Sequence, residues 1–492
     1  MQNYTERYQT LEKTSESACC ELLHKVETNP QLKTQALSTI RILGRDPVGS
    51  NALFTKEGIS VLVDIAFKPN QVKDTSSSRE ALKCIANCIH LNDKVKVYLE
   101  EQDVLGSCQY VLQSEDHISL DTQFLTCRIL FFLTVNRPDL VTRLIDASIS
   151  NAIEKVLTQN ICILQDTTNL IDRNMPINPL TVTSEALKLL FNLLLVNSRS
   201  TEQESATNIE HFENCLVPIF HLLFQVPYSN PQPLVPPHSQ AIHVLMQYPY
   251  RIISKVWQSQ SDWTNKLYDS AEQGHTFIAT TLVHLLDQAV HVLIPDGDPD
   301  DINDSSQVDA ILSPVCLVLR SLAEGDPLLS KAIAKLLLPN ETDRLLPVHE
   351  GFSLSAYMIR LMTSTMMPLT RDGVCETLFV LCDKDVNKFT QQVGYGNAIG
   401  YLVNKGIAME TPTTDETEEK DINPITGQYV SSEKQPDLKD MTDEEKEREA
   451  ERLFVLFERL KKTGIIDVEN PIAKAMQESQ GRFEEIDSSD ED

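Results

Sequence analysis

The sequence predicts an all-α protein: an α-solenoid of stacked helix pairs, then a linker, then one separate helix near the C-terminus. Three observations carry that prediction. A short apolar phrase recurs along roughly the first 400 of the 492 residues. Glycine is scarce, 16 in all, while Leu, Ala, Glu and Lys fill the periodic segments, a composition of good helix formers. Toward the C-terminus the periodicity stops, polar proline-containing sequence takes over, and one amphipathic run follows. A hydrophobic content of 41% is ample for a packed core.

The phrase reads Ala36-Leu37-Ser38-Thr39-Ile40-Arg41-Ile42-Leu43 and returns as Ala81-Leu82-Lys83-Cys84-Ile85-Ala86-Asn87-Cys88. It appears again as Leu125-Thr126-Cys127-Arg128-Ile129-Leu130-Phe131-Phe132 and as Ala186-Leu187-Lys188-Leu189-Leu190-Phe191-Asn192-Leu193. Weaker copies begin at Ala241, Val315 and Val374. The first spacings, 45 and 44 residues, match the roughly 40–47 of armadillo and HEAT repeats. Later spacings of 55 to 74 demand insertions. Each copy is apolar nearly all round, as an inner helix sandwiched between repeats should be. One helix pair cannot bury its apolar face alone; stacking does, and the stack curves around a concave groove.

Breakers punctuate the copies at Gly44 to Pro47, at Asn136-Arg137-Pro138 and at Gly325-Asp326-Pro327. The insertions are expected as surface excursions: residues 165–179, broken by Pro176 and Pro179; 226–237, with five prolines; and the acidic run 294–307. Residues 407–440 read as a linker. Thr442 and Glu445 form a capping-box pattern opening the distal helix. That helix has Leu453, Phe454, Leu456, Phe457 and Leu460 on one side, and Gly464 can end it. The expected organisation is therefore a repeat domain over 1–406, a linker over 407–440, a distal helix over 441–464 and an acidic tail over 465–492.

The net charge of −28 disfavours a phosphate backbone as partner, so nucleic acid is not expected. Residues 410–492 hold 25 acidic and 11 basic side chains, half of that net charge, which leaves a milder scaffold able to line a groove with basic groups. No secretory signal and no stretch of about 18 uncharged apolar residues is evident. The 11 cysteines, mostly on apolar helical faces, read as reduced thiols of a cytoplasmic protein.

Chemistry-bearing motifs are decoys here. Gly394, Gly396 and Gly400 do not follow a strand and are expected to shape a turn and a tight helix start. Cys84 and Cys88, four apart with His90 nearby, lack the pairing and further ligand of a zinc site and read as buried thiols. The run Asp296 to Gln307 resembles a calcium loop but has Asp301 where Gly and Gln307 where Glu are required. No histidine pairs with a plausible nucleophile and an orienting acid, so no catalytic residue, metal or cofactor is expected. Arg41, Arg45, Asn87, Arg128 and Asn192 recur on helices that should face the groove. Such side chains either hold a peptide by its backbone and terminal carboxylate or bond neighbouring helix ends within the scaffold.

Several motifs resemble one family, the synembryns, non-receptor exchange factors and folding chaperones of heterotrimeric G-protein α subunits. The resemblance runs from about Thr34 to Ile466 and is most specific late in the chain. It rests on Arg41-Ile42-Leu43-x-Arg45-Asp46, Leu82-Lys83-Cys84-x-x-Asn87, Arg128-Ile129-Leu130-Phe131 and Leu187-Lys188-x-x-Phe191-Asn192. Later come Arg360-Leu361-Met362-Thr363, Leu378-Phe379-Val380-Leu381-Cys382, Gly394-Tyr395-Gly396-Asn397-Ala398, Ile422-Asn423-Pro424-x-Thr426-Gly427 and Met441-Thr442-x-Glu444. The resemblance implies a superhelix whose groove receives the C-terminal helix and carboxylate of Gα on Arg41, Arg45, Asn87 and Arg128. It also implies a distal helix that grips the GTPase domain near switch II, and a protein, monomeric alone, that stabilises nucleotide-free Gα, releases GDP without covalent catalysis and assists nascent Gα. It implies phosphorylation of an acidic linker by an acidophilic kinase; the matching stretch, 413–419, is shorter and lacks the serine, leaving Thr413, Thr414 and Thr417 as candidates. Ser488 and Ser489, before the acidic end, form a second candidate. Recruitment to the cell cortex would follow from Gα. Two rival readings are an armadillo-type peptide adaptor without exchange activity, which has no need of the distal helix, and an importin-like carrier, whose groove would repeat Trp and Asn; the two Trp here, Trp257 and Trp263, lie outside the phrase.

Overall fold

The computed structural model describes residues 18–26, 28–29, 32–46, 49–68, 71–166, 172, 175–198, 209–259, 270–407, 422–423, 425–433, 442 and 448. The chain forms two compact units, 1–430 and 431–492. In the first unit the helices run α1 (Lys33–Leu43), α2 (Lys56–Ala66), α3 (Ser76–Leu91), α4 (Lys94–Glu101), α5 (Val104–Gln113), α6 (Leu120–Thr134), α7 (Pro138–Asp146), α8 (Ile149–Gln165), α9 (Pro179–Ser198) and α10 (Leu216–Gln225). They continue as α11 (His238–Leu245), α12 (Tyr250–Gln258), α13 (Ala271–Leu293), α14 (Ser305–Gly325), α15 (Pro327–Leu337), α16 (Leu354–Leu361), α17 (Pro368–Leu381), α18 (Val386–Val393) and α19 (Tyr395–Asn404).

The copies of the repeated phrase fall on α1, α3, α6, α9, α11, α14 and α17, and each packs on the next, forming one continuous inner row. A second row covers it: α2 packs on α3, α5 on α6, α8 on α9, α10 on α11 and α15 on α14. The chain is thus an all-α solenoid, and the all-round apolarity of the phrase has a physical cause. An inner helix meets a neighbour before it, one after it and an outer partner. Leu187, Leu189, Leu190 and Leu193 of α9 are accordingly fully buried, each worth about 1.5–3 kcal/mol. Two buried threonines of an inner helix are satisfied within it: Thr126 and Thr134 of α6 donate to the carbonyls of Thr122 and Leu130 at 2.6 and 2.7 Å.

Consecutive repeats are also pinned through their caps. Ser119 caps α6 and itself donates, through Oγ, to Asp74 at 2.8 Å; Thr122 Oγ1 and Arg79 reach the same carboxylate at 2.8 and 2.7 Å. Burial pushes the Asp74 carboxyl up, but these bonds outweigh it and hold its pKa below the ordinary value.

Two helical stretches, Pro179–Ser198 and Gln273–Leu293, are long and apolar enough by composition to cross a membrane, although neither is uncharged: the first holds Glu185 and Lys188 and the second Asp287. The first is α9, packed between α6 and α11 and carrying the ion-paired Glu185; its apolarity is that of an inner helix. The thiols of Cys84 and Cys88 are buried and pushed up, that of Cys88 to about 12. The acidic insertion 294–307 is a surface excursion with its aspartates exposed, and it is also anchored. Asp300 accepts from Ser364 Oγ at 2.5 Å, from Thr365 Oγ1 at 2.8 Å and from the Thr365 and Met366 amides, so it ties the insertion to the turn before α17. Asp304 caps α14.

The linker expectation over 407–440 also meets a difference. Residues 422–423 and 425–430 belong to the first unit and bond to it instead of trailing away. Val348 N–H donates to Thr426 O at 3.1 Å, Gly396 N–H to Ile425 O at 3.2 Å and Tyr429 N–H to Arg344 O at 2.9 Å. Arg344, 5% exposed, sends Nη1 to Gly427 O at 2.7 Å and to Gln391 O at 3.2 Å, and Nη2 to Gln392 Oε1 at 2.6 Å. Gly427 sits at φ +71°, with the Val348 methyls 2.9 Å from where a Cβ would stand; Gly394 opens α19 at φ +79° against Ile425 O. A segment held by main-chain bonds to a buried arginine needs no apolar periodicity, so its sequence reads as linker.

In the second unit the described residues are 431–433, Thr442 and Arg448. The expected distal helix face (Leu453, Phe454, Leu456, Phe457, Leu460), the acidic threonines (Thr413, Thr414, Thr417) and Ser488 and Ser489 lie outside the described residues.

Candidate peptide-binding groove

A groove of about 1100 Å³ crosses the inner helices α1, α3, α6 and α9. Packed helices stand 8–10 Å apart, so four of them give a trough about 30 Å long, the length of a helix of about 20 residues. Arg41, Arg45, Asn87 and Arg128, all expected there, line it. Asn192 does not: it is 7% exposed and donates to Thr134 Oγ1 at 2.9 Å, latching α9 to the end of α6. Asn87 makes the analogous bond, Nδ2 to Arg41 O at 3.4 Å, while still bordering the groove. Both asparagines therefore serve the scaffold, and Asn87 also faces the trough.

The arginines are set by carboxylates from the next inner helix. Arg41 Nε donates to Glu80 at 2.8 Å, and Lys83 reaches Glu80 at 3.0 Å and Asp121 at 3.2 Å. One repeat pair further on, Arg128 grips Glu185 with two bonds, 3.1 and 3.0 Å, and Lys188 joins it at 2.8 Å. The Arg128 guanidinium also lies 4.3 Å from the centre of the Phe124 ring. Burial pushes the carboxyls of Glu80 and Glu185 up, but the bonds from their basic partners prevail and both are held below the ordinary value. Arg45 is exposed and makes no ion pair among the described residues.

Sequence reasoning missed Glu80, Lys83, Glu185 and Lys188, although a signal was present. Glu80-Ala81-Leu82-Lys83 and Glu185-Ala186-Leu187-Lys188 are the same four residues, each followed by an asparagine four positions after the lysine. The repeat places each Glu opposite an arginine of the preceding inner helix. Five basic and two acidic side chains line the groove of a chain whose net charge is −28. Most of the remaining lining is apolar or aromatic, including Phe124, Phe132 with His90 stacked on it, Met175, Ile177 and Leu180, with Asn87, Thr181 and Ser184 as its uncharged polar members. A basic trough with an apolar wall suits an amphipathic helix that ends in a carboxylate.

The family described as "Guanine nucleotide exchange factor synembryn" matches residues 36–480. The chain is similar to the protein named Chaperone Ric-8A of Xenopus tropicalis, 26% identical over 94% of this chain and 86% of the relative. It is similar to that of Gallus gallus, 25% identical over 89% and 83%, and to Chaperone Ric-8 of Drosophila pseudoobscura pseudoobscura, 24% identical over 88% and 83%. Among solved structures, an engineered protein covers 79% of this chain and 92% of its own at 17% identity and a TM-score of 0.36. On the match over residues 36–480, the chain belongs to the synembryn family of guanine nucleotide exchange factors.

Proposed function

We propose that the protein is an exchange factor and folding chaperone of heterotrimeric G-protein α subunits, whether GDP-bound, nucleotide-free or nascent. The groove receives the C-terminal helix of Gα, with its carboxylate at Arg41 and Arg45, and the distal helix grips the GTPase domain. The observation that carries the reading is the family match over residues 36–480, joined to a basic groove in an acidic chain. The mechanism is linkage. A protein that binds the emptied, loosened Gα more tightly than the GDP form shifts the population toward release and needs no covalent step. A cytoplasmic monomer recruited to the membrane through Gα fits this role. The test is GDP release from purified Gα subunits: addition of the protein should accelerate it, and unchanged release across Gα classes would favour a plain peptide adaptor.

Phosphorylation of Thr413, Thr414 or Thr417 would add about 1.5–2 negative charges per site. It should strengthen binding of Gα by docking the acidic segment on basic scaffold residues. Exchange measured before and after an acidophilic kinase, with occupancy read by mass spectrometry, checks this; unchanged exchange at full occupancy assigns the segment to solvation alone.

A further inference from the structure

One part of the groove's apolar lining, the wall at Met175 and Ile177, comes from a segment that breaks the repeat. The spacing between the third and fourth copies of the phrase is 61 residues, where the first two are 45 and 44. The extra chain ends in the turn at residues 175–178, immediately before α9, and that turn lies against the trough. Met175 is 55% exposed, an unusual position for a large apolar side chain, and Ile177 and Leu180 continue the same wall.

The turn is built to hold this position. Asn178, 6% exposed, donates through Nδ2 to Met175 O at 2.9 Å and accepts from Thr181 N–H at 3.1 Å; Thr181 Oγ1 in return accepts from Asn178 N–H at 2.9 Å. This reciprocal cap ties the turn to the first residues of α9, so Met175 and Ile177 are projected by a fixed backbone. Across the trough stand the basic groups of α1 and α3. Lys188 and Arg128 also stand near that wall, but both are paired with Glu185; Arg45, without an ion-pair partner among the described residues, lies toward α1, so the unpaired cationic end of the groove is separated from the apolar wall beside α9.

From this separation we infer that the Met175–Asn178 turn is the specificity element of the groove. It reads the apolar face of a bound helical peptide while the arginines read its terminal carboxylate. The occupant is an amphipathic helix with a free C-terminus and large apolar side chains on the turns preceding it. The inference rests on the groove reading proposed above and deepens it. Charge alone would accept any acidic C-terminus; the wall adds a second requirement, and a site that lacks one methylene of contact discriminates by about tenfold or more.

The experiment uses the full chain and synthetic helical peptides with Leu or Ala on the apolar face, each ending in a carboxylate or an amide. Binding is measured by fluorescence anisotropy for wild type, Met175→Ala/Ile177→Ala and Asn178→Ala. Wild type should prefer Leu over Ala peptides and carboxylate over amide peptides. In both variants the Leu-over-Ala preference should fall about three- to tenfold while the carboxylate-over-amide preference stays. Thermal melting of Met175→Ala/Ile177→Ala, in which Met175 is exposed and Ile177 is only part-buried against the core, separates this from misfolding. If the wild type binds but the Leu preference survives in both variants, this inference is overturned and the groove reading stands. If the wild type binds no carboxylate peptide, both fall.

Discussion

At the scale of single residues, the groove shows how arginines are kept available in an acidic protein. Arg41 and Arg128 are each oriented by one glutamate from the next inner helix, and only part of each guanidinium is consumed. Arg45 is the cleaner test of peptide capture because no ion pair among the described residues depends on it. Arg45→Glu should cost roughly 1.5–3 kcal/mol of affinity for a Gα C-terminal peptide, about ten- to hundredfold, with an unchanged melting temperature. Arg41→Glu should weaken binding similarly but also destabilise the fold, because it sets two carboxylates, at 41 and 80, against each other. Titration against the peptide beside thermal melts distinguishes the two. Glu185, 4% exposed, makes a different prediction. Its carboxyl is held below the ordinary value of 4.5, so its contribution to stability is present above that value and lost as pH falls through the lower native one. Glu185→Gln should therefore reduce stability near pH 7 by about 1–3 kcal/mol, and the difference from wild type should shrink as the pH drops below 4.5. Denaturant melts across that range measure it; a constant difference would remove the charge-based explanation.

At the scale of elements, what was legible in the sequence was whatever packs with a period. The seven phrase copies fall on seven helices that touch in order, because an inner helix must be apolar on every side and that pattern survives insertions. Most of the expected groove residues followed from the phrase, since Arg41, Asn87 and Arg128 each lie within a copy of it on an inner helix, and Arg45 just beyond the first copy. Asn192 occupies the position equivalent to Asn87 yet turns to Thr134, a difference set by packing depth and invisible to spacing. The segment 422–430 was illegible for another reason: its hold on the first unit is main-chain bonding to Arg344 and a glycine that admits close approach. That segment yields its own prediction. Gly427→Ala would place a methyl 2.9 Å from the Val348 side chain on a φ of +71°, and should cost about 1–3 kcal/mol. Hydrogen exchange should show the Val348, Gly396 and Tyr429 amides losing protection while those of α3 and α6 keep theirs. Equal loss everywhere would mean that the segment belongs to the global folding unit.

At the scale of the whole chain, the question is whether binding and exchange are separable, and the structure dictates where to cut. A chain ending at Gly406 would remove residues 422–430 together with the distal region, leaving Arg344 without the Gly427 carbonyl it bonds while buried. Lost exchange in such a chain would be ambiguous between a missing contact and a damaged scaffold. Ending the chain after Glu433 keeps every described bond of the first unit and removes the face expected at Leu453, Phe454, Leu456, Phe457 and Leu460. The groove, built from α1, α3, α6 and α9, lies far upstream in sequence, so this chain should bind a Gα C-terminal peptide with wild-type affinity. Each large apolar side chain removed is worth on the order of 1.5–3 kcal/mol if it is buried against the GTPase domain. In the proposed two-contact mechanism that energy would be the part specific to the nucleotide-free state, because it would engage the domain that must open for GDP to leave. GDP release should therefore fall by orders of magnitude while peptide affinity holds. If the chain ending at Glu433 still drives release at the full rate, the groove alone carries exchange, and the distal helix has no part in stabilising the empty state.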